Sequence, residues 1–259
     1  MKKLLLGLLG FCAVFALAAA GPEIRCEGEY PWHLQGIAAD REAIYWSFTA
    51  SLVKTDLTGK VLAAVSVVRH HGDLCVHDGK VYVAVNLTAF NRPCPPGKNF
   101  VYEYNAGDLS FVRRYPVDEM IYGAGGIEFA NGSFCVVGGL PDTEKENLVC
   151  EYAPDFKFKR KILLPGWTKR GIQTACFAQD KWFFGTYGKV GLKVYDAQFH
   201  ELKPERTKNT SLGMTVLPDG KIAVGFSKRV SAQGEKPQRN IGWIRFFTLQ
   251  ADGSLVPEK

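Results

Sequence analysis

Short apolar runs recur along this chain, each followed by a polar turn and then by another apolar or β-branched run. After residue 20 no segment holds a 3.6-residue apolar period long enough for a useful helix. The turns between the first and second runs include Asp78-Gly79, Asn131-Gly132 and Asp219-Gly220. Asp-Gly and Asn-Gly between β-rich runs are strong hairpin signals, because both central residues of the favoured turn need positive φ. The paired runs open near residues 33, 70, 123, 171 and 211, in steps of 37, 53, 48 and 40. A third run follows in each unit, at 52–56, 101–104, 148–152, 192–196 and 243–247, and its alternation places aromatic and aliphatic residues on one face. A fourth, more polar run closes most units, as at 60–68 and 156–164.

Four short strands per unit of about 40 to 50 residues mark a β-propeller blade. The pattern therefore predicts an all-β, five-bladed β-propeller as a single domain over residues 21–259. A six-bladed ring, with residues 21–32 helping a short extra blade, is the nearer alternative. A β-sandwich would not need five matched strand quartets. Ring closure is expected from residues 22–32 pairing with the last blade, since an open fifth sheet would expose a long edge.

Composition narrows the class. The 259 residues are 46% hydrophobic, with 27 Gly and 13 Pro, which is enough apolar content for a core and rich in turns. No run of eighteen apolar residues follows the N-terminal segment, which excludes a multi-span integral membrane protein. Residues 1–20 read as a signal peptide: Lys2 and Lys3, an apolar stretch over 4–17, then Ala18-Ala19-Ala20 before Gly21. The expected location is secreted or periplasmic. Removal of the two lysines takes the net charge from +6 down by two, to +4. The basic residues are scattered without an aromatic-interleaved stripe, so nucleic acid is not an expected partner. The dense run at 157–161 reads as a charged strand edge. The expected molecule is a monomer.

Six cysteines remain after residue 20, and an exported chain permits disulfides. Cys135 and Cys150 are placed to face each other across strands two and three of blade three, giving a plausible disulfide. Cys26 with Cys94 is the leftover pairing, and Cys75 and Cys176 are expected as buried free thiols. No Cys-x-x-Cys, nucleophile elbow, P-loop or Gly-x-Gly-x-x-Gly occurs.

Candidate chemistry falls on one face. Segments leading into the first strands carry His, Gln and Gly, and long loops join strands two and three at 86–99, 138–147 and 227–240. His33 and His70 share a repeat position in adjacent blades, with His71 and Asp73 beside them. Converging imidazoles and a carboxylate could hold a divalent metal, calcium or zinc, although the spacing is no known metal signature and a histidine capping a loop carbonyl is the alternative. Gln35 and Gln173 are equivalent in blades one and four. Gly72, Gly125 and Gly213 fill that position in the others, leaving space at the axis for a ligand that the amides could bind. Glu128 stands among Ala38, Cys75, Cys176 and Val216 at the equivalent level, where desolvation would raise its pKa for acid or base work. The candidate catalytic set is thus Glu128, His70 and Asp73. The candidate ligand-binding set is His33, Gln35, His71, Gln173, Trp32 and Trp167. Trp46 and Trp182 are assigned to packing between blades.

The first unit resembles a known family. Gln35-Gly36-Ile37, Ile44-Tyr45-Trp46-Ser47 and the stretch 52–62 are similar to the first blade of the glutamine cyclotransferases, the plant-type glutaminyl cyclases. These are exported five-bladed propellers that convert N-terminal glutamine to pyroglutamate without an obligatory catalytic metal. The resemblance implies a pocket role for Gln35. It breaks at Trp46, where the family carries a glutamate that acts in proton transfer. It covers about 30 residues closely and the rest as blade rhythm, and fold likeness is a weak warrant for activity. Three functions stay open: a non-catalytic propeller binding a small molecule, peptide or glycan at the channel mouth; a divergent cyclase or metal-dependent hydrolase of lactonase type; and a scaffold working through the long loops.

Overall fold

A computed structural model describes residues 22–259. The signal-peptide expectation lies outside them. The described residues form five antiparallel sheets arranged as a five-bladed β-propeller. Blade one comprises Leu34–Ala39, Ala43–Phe48, Ser51–Asp56 and Val61–Ser66. Blade two comprises His71–His77, Lys80–Asn86, Asn99–Asn105 and Phe111–Pro116. Blade three runs through Ala124–Ala130, Ser133–Gly138, Glu146–Tyr152 and Phe158–Pro165. Blade four runs through Lys169–Ala178, Lys181–Tyr187, Leu192–Asp196 and Glu201–Leu202. Blade five takes Met214–Val216, Ile222–Arg229 and Arg239–Leu249 from the C-terminal part of the chain.

The ring closes as expected. Glu23–Arg25 pairs with Arg239–Leu249 in the register Glu23↔Arg245, Ile24↔Ile244 and Arg25↔Trp243. Tyr30–Pro31 and Leu255–Pro257 pair with the same long strand. The N-terminal segment thus completes blade five and builds no sixth blade. Its pairing covers an edge that would otherwise present open backbone groups. Two hairpin turns follow the sequence signals, while at Asp219-Gly220 only the glycine has positive φ, in a longer loop between Val216 and Ile222. Asp78 and Gly79 sit at φ 47 and 68, and Asn131 and Gly132 at 52 and 73. Blade four makes the same turn with Gln179 and Asp180, two residues without that signature.

Five apolar clusters hold the ring, one in each gap between neighbouring blades. Tyr45 and Leu52 of blade one meet Val81 and Val83 of blade two, while Trp46 and Val53, on the opposite face, meet Ala223 and Ile244 of blade five. Each sheet is therefore apolar on both faces. That is why the second strands of blades one to four, and the third strands of blades two and three, are buried almost throughout. Trp46 and Trp182 are fully buried in these gaps, in the packing role read from the sequence. The outer strand of blade one, Val61–Ser66, keeps an alternating pattern.

The cysteine pairing is corrected by one residue of register. Cys135 pairs with Glu151 and Val136 with Cys150. A one-residue offset sends two side chains to opposite faces of a sheet. Cys135 accordingly packs in the gap toward blade four and Cys150 in the gap toward blade two. All six described cysteines are free thiols; Cys26, Cys75, Cys135, Cys150 and Cys176 are buried. Burial raises each of these five thiol pKa values, that of Cys150 to about 12.

Candidate functional site: the mouth of the propeller axis

Four blades share a defect near the start of the first strand. Pairing between strands one and two skips a residue between Leu34 and Gly36, between His71 and Leu74, between Ala124 and Gly126, and between Ile172 and Thr174. The residues left unpaired are Gln35, Gly72 with Asp73, Gly125 and Gln173. A β-bulge re-aims its extra residue, and here the four bulges aim theirs at the propeller axis. The equivalence of Gln35 and Gln173 in the repeat has this physical basis.

A cavity of about 240 Å³ lies over the bulges. His33, Gln35, His70 and Gln173 line it, together with His71, Gly72 and Gly125. Asn86, Phe90, Ala124, Arg170 and Tyr187 complete the lining and were not read from the sequence. Phe90 comes from the long loop of blade two. That loop is tied down by hydrogen bonds from Asn91 N to Tyr122 O (3.0 Å) and from Cys94 N to Ile121 O (2.8 Å). The long loops of blades three and five contribute no lining residue. In blade five much of the expected loop is a hairpin, with Ser227 pairing Gly242 and Arg229 pairing Asn240.

The polar groups at the mouth hold one another in place. Gln35 Nε2 donates to His33 Nε2 (3.2 Å) and to Thr49 Oγ1 (3.0 Å). With the amide donating, His33 carries its proton on Nδ1. Crowding by protein and then the nearby His70 lower the His33 pKa, so its imidazole is neutral at pH 7. Gln173 is buried, and its Nε2 donates to the carbonyls of Arg170 (2.7 Å) and Gly171 (3.4 Å). Burial raises the Tyr187 pKa, while the Arg170 charge opposes that rise.

His71 differs from its neighbours. Its Nδ1 lies 2.7 Å from Val68 O and its Nε2 2.7 Å from Tyr104 Oη, so neither ring nitrogen is free for a ligand. The ring is fully buried, and its pKa falls to about 4 because burial disfavours the imidazolium. His71 is a core histidine, contrary to the ligand-binding expectation. Trp32 and Trp167 also lie outside the cavity lining. Trp32 stacks under the Arg69 guanidinium at 4.2 Å, and Trp167 is exposed on the surface.

Beneath the cavity the axis is closed. Gly72 and Gly125 border the cavity, as their size implies, but on the floor side the glycines leave no room. A Cβ on Gly36 would drive into the Asp73 carboxyl, one on Gly72 into the Gly125 carbonyl oxygen, and one on Gly213 to 2.5 Å from Ile37 N. They permit neighbouring inner strands to touch. Asp73 plugs the centre. Its Oδ2 accepts the N–H of Ala175 at 2.9 Å, reaching from blade two to the non-adjacent blade four. Its Oδ1 is buried without a partner among the described residues. Burial first, with Glu128 adding to it, pushes the Asp73 pKa well above the carboxylate range. Glu128 keeps some accessible surface, yet protein encloses its carboxyl and burial lifts its pKa to about 8. Its Oε1 accepts the N–H of Phe129 at 2.8 Å.

The expected catalytic trio is therefore split. His70 lines the mouth, while Asp73 and Glu128 lie outside the lining. The metal expectation fares similarly. His33 already accepts a hydrogen bond on Nε2, and Asp73 does not join it. Among the described residues no group of three or more His, Cys, Asp or Glu side chains is placed to hold a metal ion. Two imidazoles fall short of the four donors of a zinc site and the six or more oxygens of a calcium site.

In fold, the chain is similar to a bacterial glutaminyl cyclase. The enzyme is that of Myxococcus xanthus, with 13% sequence identity, a TM-score of 0.55, and coverage of 91% of this chain and 99% of that one. The likeness first seen in blade one thus extends over most of the chain as a fold. U3-55K is similar at a TM-score of 0.53 and 7% identity, covering 92% of this chain and 84% of that one. A protein of unknown function from Bacteroides caccae is similar at 0.50 and 13%, covering 87% and 82%. No family model and no curated protein matches the sequence. Among the described residues, no helix is long and apolar enough to cross a membrane.

Proposed function

We propose that this chain is an exported propeller that binds a small molecule, a peptide or a glycan at the mouth of its axis, without catalysing a reaction there. One observation carries the reading. The cavity is lined by polar groups with hydrogen-bonding atoms to spare, yet no carboxylate is among them. The Oε1 atoms of Gln35 and Gln173 accept no hydrogen bond from the described residues, while the amide nitrogens that orient them are engaged. Fixed acceptors over a closed floor suit recognition. The carboxyls with raised pKa values, which could serve in proton transfer, lie outside the lining.

Thermal-shift screening of short peptides, oligosaccharides and small acids tests this. Ligands should raise the melting temperature of the native protein and leave His33→Ala/Gln35→Ala unmoved. Equal shifts in both proteins, or none in either, would overturn the reading.

The second reading is a glutaminyl-cyclase-like activity, favoured by the fold likeness and by Gln35 standing in the cavity. Trp46 weighs against it. Its indole is buried in the core and donates to Thr55 Oγ1 at 3.0 Å, where the resembled family carries its glutamate. Turnover of a peptide with N-terminal glutamine, lost in Gln35→Ala, would establish that activity.

A further inference from the structure

The cavity lining is chemically one-sided. Its titratable side chains are those of His33, His70, His71, Arg170 and Tyr187. Arg170 is the one permanent cation, and it forms no ion pair among the described residues. Its position is built. Arg170 and Gly171 are two consecutive left-handed residues, at φ 64 and 74, within the interrupted pairing between Lys169 and Ile172. An arginine seldom adopts that backbone, and such outliers persist where the surroundings over-determine them. Here the buried Gln173 amide supplies the restraint by donating to the carbonyls of both residues. The bulge side chain of blade four thus holds the turn that places Arg170 at the cavity.

We infer that the cavity takes a small organic carboxylate that also carries an N–H donor: an acylated amino acid or the carboxyl-terminal residue of a peptide. The inference rests on the cavity being a binding site. The ligand carboxylate lies on the Arg170 guanidinium, whose parallel N–H groups match the spacing of two carboxylate oxygens. The ligand N–H donates to the free Oε1 of Gln35 or Gln173. The Phe90 ring offers an apolar wall to the ligand side chain. The cavity has room for about eight waters at ~30 Å³ each, the scale of one amino-acid residue. No lining carboxylate is present to repel the anion.

Isothermal titration of the purified protein with two matched pairs tests the inference. The pairs are N-acetylphenylalanine with its amide, and Gly-Gly-Phe with its carboxamide. At least one acid should bind, and about tenfold or more tighter than its amide, as a charge-assisted pair requires. In Arg170→Asn the acid and amide should bind alike. Asn tolerates the left-handed backbone, so this variant keeps the turn, and circular dichroism confirms that it is folded. The acid that binds tighter identifies the source, a free acylated amino acid or a peptide end. Acid and amide bound alike by the native protein would overturn the carboxylate assignment and leave the cavity as a binding site. An acid preference that survives in Arg170→Asn would overturn it too. If none of the four probes binds, the carboxylate assignment fails. The binding reading falls with it only if the wider screen is also empty.

Discussion

The mouth and the core of the propeller axis carry similar residue types in opposite states. At the mouth, Gln35, His33 and Gln173 are oriented by hydrogen bonds and still keep polar atoms free toward a cavity. Below it, Asp73 and Glu128 are enclosed, bonded to backbone N–H groups and held with raised pKa values. The difference comes from the bulges. Blades one and four each re-aim a single glutamine above the floor. Blade two inserts Gly72 and Asp73 together, and the second of these crosses the axis. Polar residues near a symmetry axis are therefore not one site. Backbone register decides which of them meet solvent.

Altering the floor gives the largest expected effect. Gly72→Ala places a methyl group against the Gly125 carbonyl, with backbone on both sides. Overpacking of this kind costs about 3 kcal/mol, a fall on the order of 10 °C in melting temperature. Gly107→Ala, with nothing near its Cβ, should stay within about 0.5 kcal/mol. A calorimetric scan showing equal stability for the two variants would mean that the inner strands are not in contact.

A smaller effect follows from the buried titrating groups. The Glu128 pKa is about 8 in the fold and ordinarily 4.5, so its contribution is fully present below pH 4.5 and lost as pH rises to 8. His71 acts in the opposite sense. Its pKa of about 4, against an ordinary 6.5, makes stability fall as pH drops from 6.5 toward 4. The two oppose each other between pH 4.5 and 6.5; from 6.5 to 8 Glu128 acts in the same sense as Asp73, whose pKa burial also raises. Glu128→Gln should make that upper limb shallower by at most about 1.4 kcal/mol per pH unit, the share of one carboxyl. Urea unfolding from pH 6 to 8 measures it. An unchanged slope would show that the carboxyl is hydrated or paired.

The smallest effect is chemical. Of the six described cysteines only Cys94, in the blade-two loop, is partly exposed. Ellman's reagent should find it alone in the native state, and a reductant should leave the melting temperature unmoved. A fall in melting temperature on reduction would show a disulfide.

The blades were legible because turn dipeptides and β-rich runs repeat, and repeated strands need repeated burial. Closure by residues 22–32 followed from the same need to cover an edge. The level of Gln35 and Gln173 was legible too, since equivalent positions in a repeat land at equivalent heights. What failed was side-chain direction. Asp73 stands three residues from His70, but the bulge between His71 and Leu74 sends it under the floor. One residue of register separated Cys135 from Cys150. Tyr187 ends the second strand of blade four, as Asn86 does in blade two, and that correspondence was the available signal for both. Arg170 had none, because the left-handed turn that places it depends on a hydrogen bond from Gln173.

The central claim is that the mouth recognises a ligand while the buried axis holds the ring together. The direct measurement pairs melting temperature with the affinity of the tighter-binding acid, N-acetylphenylalanine or Gly-Gly-Phe, at pH 8, for Gln35→Ala and Glu128→Gln. Gln35→Ala should weaken binding about tenfold, the worth of one or two hydrogen bonds, with little change in melting temperature. Glu128→Gln should raise the melting temperature and leave the affinity unchanged. Loss of binding in Glu128→Gln with Gln35→Ala unaffected would contradict the account and place the functional chemistry in the axis.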